Sequence, residues 1–128
     1  MQNLDQIRAA AALKLAERTT KGDVNKLPAM ILTNGLLATT AFATERNKDG
    51  GYKRKEMAEV LKGTAEHLAN PIHGLAVLAG IKDDPLAMTT ALAEHAISGD
   101  LQRATTEALA FIGYVKRYAN KEENTCPS

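Results

Sequence analysis

Between Leu27 and Thr44 the chain reads LPAMILTNGLLATTAFAT, eighteen residues without a charge in a sequence that is 24% charged. Three structures keep so long a segment neutral: a membrane span, a β-hairpin, or a helix covered on more than one face. A span needs about twenty predominantly apolar residues, and here Pro28, Asn34, Gly35 and four threonines interrupt the run. Asn34-Gly35 is a strong hairpin signal, but its flanks, AMIL and LLATTAF, do not alternate. The helical reading explains more. Pro28 suits a first helical turn, where its missing N–H costs nothing, and the spacing predicts one helix from there to about Arg46. Met30, Leu37, Ala38 and Ala41 fall on one side of it, and Leu32, Leu36 and Ala43 on nearly the opposite side. A helix apolar all round is covered on several faces, either as a central helix or with its outer face against a partner. Asn34 and Gly35 cost about 1 kcal/mol each relative to Ala, and Gly35 is read as a point of close helix approach.

The rest of the chain supports an all-α, single-domain bundle of five to six helices. Ala, Leu, Glu and Lys, which favour helix, are abundant, while strand-favouring residues are few. The expected domain covers residues 1–122, with a flexible tail at 123–128. A first helix runs from about Leu4 to Thr19, capped by Asn3 with Gln6 three residues on, and carries an apolar stripe of Leu4, Ile7, Ala11 and Leu15. NKDGG, Asn47 to Gly51, is a loop and the best candidate for a mobile segment. A helix from about Lys53 to Asn70 turns Met57, Val60, Leu61, Thr64 and Leu68 inward. IHGLAVLAGI, Ile72 to Ile81, is read as a short buried helix. Asp84-Pro85 caps and opens another, to about Ile97. SGD, Ser98 to Asp100, breaks the chain before a last helix from Leu101 to about Asn120, whose apolar face is Leu101, Ala104, Ala108, Phe111, Ile112, Val115 and Ala119.

Little here points to catalysis, a cofactor, a metal or a small-molecule substrate. His67, His73 and His95 fall in no HExxH or His-Asp motif, and His67 and His95 read as isolated surface or half-buried histidines. Asp83 and Asp84 are adjacent, and Asp84 is explained as a cap. GLAVLAG lacks the Lys-Ser/Thr of a phosphate loop. The one cysteine, Cys126, has no partner for an internal disulfide, which suits a reducing cytosol. The N-terminal stretch carries Asp5 and Glu17 and reads as no signal peptide. The expected location is therefore cytoplasmic, without membrane contact.

A net charge of +1 offers no global attraction for a polyanion, so any such binding needs a local patch. Lys14, Arg18 and Lys21 share one flank of the first helix. Arg103, Arg117 and Lys121 align with Tyr114 on the last helix, and Lys53, Arg54 and Lys55 follow the NKDGG loop. From pattern alone these are solvated faces, balanced by Glu17, Glu56, Glu59 and Glu107. Arg8 differs. It falls among Leu4, Ala11, Ala12 and Leu15 on the apolar stripe, where it either snorkels or forms a buried pair.

Two stretches together carry a family resemblance. KLPAMILTNGLLATTAFA, Lys26 to Ala43, and LQRATTEALAFIGYVKRYA, Leu101 to Ala119, resemble the small subunit of type III-B CRISPR effector complexes, the Cmr complexes. IRAAAALK, Ile7 to Lys14, also fits, with Arg8-Ala9 where the family tends to have an Arg-Ala pair. Tyr114 stands where the family favours Trp, and Asn47 to Asp100 matches weakly. The resemblance implies an all-helical, non-catalytic subunit that stacks with copies of itself into an inner filament. That filament runs beside the backbone subunits holding the CRISPR RNA, ends near the large polymerase-like subunit, and lines the target-RNA channel in antiviral defence. It makes Lys14, Arg18, Lys21, Lys53, Arg54, Arg103, Arg117 and Lys121 candidates for phosphate contact and Tyr114 a candidate for base stacking. Arg8, Leu32 and Leu36 are candidates for subunit contact. The competing readings are a helical protein–protein adaptor with no RNA contact, the small subunit of a type III-A complex, and a small helical enzyme using His67, His73, Asp83 or His95.

Overall fold

Asn3 opens the first helix, α1 (Leu4–Ala16), through a reciprocal capping box: its side chain accepts from the Gln6 N–H, and the Gln6 side chain accepts from the Asn3 N–H. The computed structural model describes residues 3–17, 19, 21–97 and 99–119, apart from the side chains of residues 21 and 23. After α1 come the one-turn α2 (Lys21–Val24), α3 (Leu27–Asn34), α4 (Leu36–Ala43), α5 (Lys55–Leu68), α6 (Pro85–Glu94) and α7 (Asp100–Tyr118). Two 3-10 turns, Pro71–His73 and Ala76–Leu78, separate α5 from α6. Among the described residues there is no strand, and the architecture is an all-α single domain. No described helix is long and apolar enough to cross a membrane.

α7 is the axis of the bundle, packed along α1 and against α5 and α3, while α4 spans α3, α5 and α6. Its spacing explains this role: Ala104, Ala108, Phe111, Ile112 and Val115 form one buried row. α5 answers with Met57, Val60, Leu61, Thr64 and Leu68, the inward face its sequence predicts. Phe111, Leu61, Leu68, Leu27, Ile31 and Met88 are among the fully buried side chains. Each contributes about 1.5–3 kcal/mol through burial. α6 opens as expected, with Asp84 accepting from the N–H groups of Leu86 and Ala87 and Pro85 in the first turn.

Several expectations are corrected. The neutral stretch is two helices rather than one, because Gly35 lies at φ 92°, ψ 161°, a region that glycine alone occupies readily. A Cβ on Gly35 would meet no atom within 4 Å, so the residue serves the bend and no close approach. The break also removes the need for all-round cover. α4 buries one row, Leu36, Thr39, Thr40 and Ala43, with the Thr40 hydroxyl donating to the Leu36 carbonyl at 2.9 Å. Leu32, Ala38, Ala41 and Phe42 are exposed. Second, Ile72 to Ile81 is no buried helix: Gly74 ends the first 3-10 turn in the left-handed region at φ 68°. Third, the stripe on α1 is rotated. Ala12, Leu15 and Ala16 are its buried residues, in register with Arg8, and Leu4 lies exposed. The pairing of Arg8 across the helix interface turns that row inward. On α7, Leu101 is exposed, whereas its neighbour Asp100 is buried.

The Asn47–Gly51 loop is fastened at its base by an antiparallel bridge between Arg46 and Tyr52. The Arg46 guanidinium sits 4.2 Å over the Tyr52 ring and donates to the Gly50 carbonyl.

Candidate functional site: a buried polar junction and a divided basic surface

Where α1, α5 and α7 meet, each supplies one polar side chain from an otherwise apolar face. Glu107 follows Ala104 by three residues and precedes Phe111 by four, which puts it in the buried row of α7 at 8% exposure. His67 lies three residues after Thr64 on the inner face of α5, at 4% exposure. Arg8 comes from the inward row of α1. It donates from Nε to Glu107 Oε2 at 2.8 Å and from Nη2 to Oε1 at 2.7 Å, a two-pronged charge-assisted pair. His67 Nε2 lies 2.8 Å from the same Oε2. A carboxylate only accepts, so that nitrogen carries the proton. The His67 ring stacks on Phe111, centroids 4.4 Å apart, and meets His73 edge-on at the same distance.

Burial alone would raise the Glu107 pKa, but the hydrogen bonds from Arg8 and His67 outweigh it and hold the carboxyl down at about 2. The Arg8 pKa is raised, chiefly by its hydrogen bond to Glu107. His73 is pushed down, first by burial and then by neighbouring His67. Around this core Asp5 lies 3.8 Å from Arg8 Nη1 and accepts a hydrogen bond from the Tyr114 hydroxyl, which raises the Tyr114 pKa. A cleft of about 490 Å³ runs between α1 and α5, lined in part by Lys14, Glu66, His67, Asn70 and Phe111.

The junction corrects two sequence readings. His67 is neither isolated nor at the surface, and Glu107 balances the half-buried Arg8 guanidinium instead of a solvated basic row. Arg8 takes the buried-pair alternative, so its charge is satisfied within the chain. The signal that finds all three is a polar residue on the apolar row of its own helix, and for Glu107 and His67 the spacing carries it as plainly as for Arg8.

The basic candidates do not form one patch. Asp5 meets Tyr114 and Arg8 meets Glu107, so α1 and α7 run antiparallel. Lys14 and Arg117 therefore sit at opposite ends of the pair, roughly 18–24 Å apart along the axis at 1.5 Å rise per residue. Arg54 is engaged by Glu45 at 2.7 Å and by the Phe42 carbonyl, with its guanidinium 3.6 Å over the Phe42 ring. Arg103 pairs with Asp100 at 2.8 Å and reaches the Gly74 carbonyl. Lys14, Lys53 and Arg117 are exposed and make no ion pair among the described residues. Tyr114 is half-buried and stacks on Tyr118, ring centroids 5.8 Å apart. Arg18 and Lys121 lie outside the described residues, as do Cys126 and the tail, and so does the Lys21 side chain. Leu32 is 74% exposed, free for a partner, but Leu36 is 1% exposed and belongs to the core; the row it shares with Thr40 and Ala43 faces inward. It is corrected from a contact candidate to a packing residue.

A family profile described as CRISPR-associated protein (Cas_Cmr5) matches residues 3–122. No curated protein and no solved structure matches the chain.

Proposed function

The chain belongs to the Cas_Cmr5 family of CRISPR-associated proteins, and on that premise we propose that it is a non-catalytic small subunit of a type III-B effector that stacks with its copies and lines the target-RNA channel. The observation that carries the reading is the profile match across residues 3–122, which spans every helix of the fold. Two features of the surface support its finer parts. The outward faces of α3 and α4 carry Leu32, Ala38 and Ala41 and no charged residue of their own, with Phe42 under the Arg54 guanidinium at one end, which suits contact with another subunit rather than with water. Lys14, Lys53 and Arg117 hold exposed charge outside any described ion pair, which suits phosphate contact. Such contacts tolerate any sequence, because guide pairing supplies specificity. In this role the protein works in the cytoplasm, in antiviral defence, beside backbone and polymerase-like subunits.

The test is target-RNA affinity of the assembled complex across a salt series, with Lys14→Ala, Lys53→Ala and Arg117→Ala combined. The expected result is weaker binding and a log–log salt slope shallower by about 0.7 for each single-strand phosphate that the variant no longer neutralises. An unchanged slope removes the RNA contact and leaves the adaptor reading, which the neutral outer face of α3 and α4 also supports.

A further inference from the structure

His73 Nε2 is buried and has no hydrogen-bond partner among the described residues. An orphaned buried nitrogen costs free energy unless something fills its lone pair. The donor atoms nearest in kind are those of His67 and Glu107: one ligand atom from each of the three side chains lies within 4.8 Å of the others. We propose that His67, His73 and Glu107 bind one divalent transition-metal ion of the imidazole-preferring class, zinc foremost.

Two imidazoles and one carboxylate are a donor set of zinc sites that keep a fourth position open, and the imidazoles disfavour magnesium and calcium. Ligand atoms about 2.0–2.2 Å from a tetrahedral ion lie roughly 3.3 Å from one another. His67 Nε2 and Glu107 Oε2, at 2.8 Å, part by about half an ångström to admit the ion, and the widest pair closes by up to about 1.5 Å. The proton on His67 Nε2 leaves that nitrogen, for Nδ1 or for solvent. His73 ends a 3-10 turn followed by left-handed Gly74, outside the long helices, with its ring edge-on to His67. Arg8 keeps its Nη2 bond to Glu107 Oε1 and shares the ligand oxygen Oε2 through Nε, and so orients the carboxylate as partners of ligating carboxylates do. Asp5, beside Arg8, offsets the guanidinium charge. The cleft between α1 and α5 reaches His67 and provides an entry path. A bound ion ties the turn after α5 to α7 and so stabilises the junction from its third side.

The experiment uses the untagged full-length chain, dialysed against chelator and titrated with Co²⁺ and then Zn²⁺. One Co²⁺ per chain, with visible bands of tetrahedral intensity that Zn²⁺ abolishes, is the expected result. His73→Ala weakens Co²⁺ binding at least about tenfold, the lower end for loss of even a supporting partner. Chelator lowers the melting temperature of the parent chain and leaves that of His73→Ala unchanged. His73→Gln, which keeps the side-chain bulk, carries the same test should His73→Ala fold poorly. Exposed His95 and the cysteine serve as controls, and His95→Ala and Cys126→Ser bind as the parent does. Absence of saturable binding, undiminished affinity in both His73 variants, or loss of binding in Cys126→Ser overturns the proposal.

Discussion

At the α1–α5–α7 junction an ion pair and a histidine sit where the helical period calls for apolar side chains, whereas α3 and α4 present neutral side chains where it calls for charge. Both regions depart from the pattern of an amphipathic bundle, in opposite senses. A buried pair contributes little net stability, because desolvation consumes most of the Coulombic gain. What it does contribute here is placement: the two-pronged bond is satisfied only when Arg8 stands opposite Glu107, which fixes how α1 slides along α7. A neutral outer face likewise adds nothing to the stability of the free chain, and under the proposed function it is held for another subunit. One departure specifies the fold, and the other serves what docks on it.

That contrast is open to direct attack. Glu107→Ala leaves the half-buried Arg8 guanidinium with only Asp5, 3.8 Å away, and strips His67 of its acceptor. It should cost about 3 kcal/mol, the lower end for a broken buried pair, read as a lowered denaturant midpoint. Acid should do nearly the same reversibly. The Glu107 pKa falls from an ordinary 4.5 to about 2 on folding, so its contribution is complete above about pH 5 and is lost as pH falls toward 2. The depression corresponds to about 3 kcal/mol at most. Urea melts between pH 6 and pH 3 in chelator should show most of that loss, and Glu107→Gln should flatten it. Gly35→Ala forces an ordinary residue into glycine's region and should cost about 1–3 kcal/mol, with the helical circular-dichroism signal retained. Leu32→Asp, on the exposed face, should shift the stability of the free chain by less than about 0.5 kcal/mol. A large loss there would mean that the outer face of α3 is packed within the chain, and the comparison would fail.

The same contrast explains what is legible in the sequence. α5, α6 and α7 read cleanly because an apolar row at i, i+3, i+4 and i+7 is a local property, and Asp84-Pro85 is a local start signal. The break at Gly35 is hidden by a neutral composition that offers no period to lose, and Asn34-Gly35 points to a hairpin that its flanks deny. Ile72 to Ile81 carries helical hydrophobicity, but Gly74 at positive φ cannot be told from a tolerated helical glycine in one sequence. The junction is half visible. Arg8 stands out against its stripe, yet its partner lies 99 residues away and the histidine 40 residues from that partner. No spacing rule reaches so far. The basic rows mislead because helical phase aligns residues on one helix, while only the antiparallel docking of α1 on α7 reveals that Lys14 and Arg117 face opposite ends.

The most direct measurement is purification of a tagged copy from its native host, with mass spectrometry of the proteins and sequencing of the RNA that come with it. The expected recovery is other CRISPR-associated subunits together with repeat-derived guide RNA. Recovery of unrelated proteins without guide RNA would contradict it.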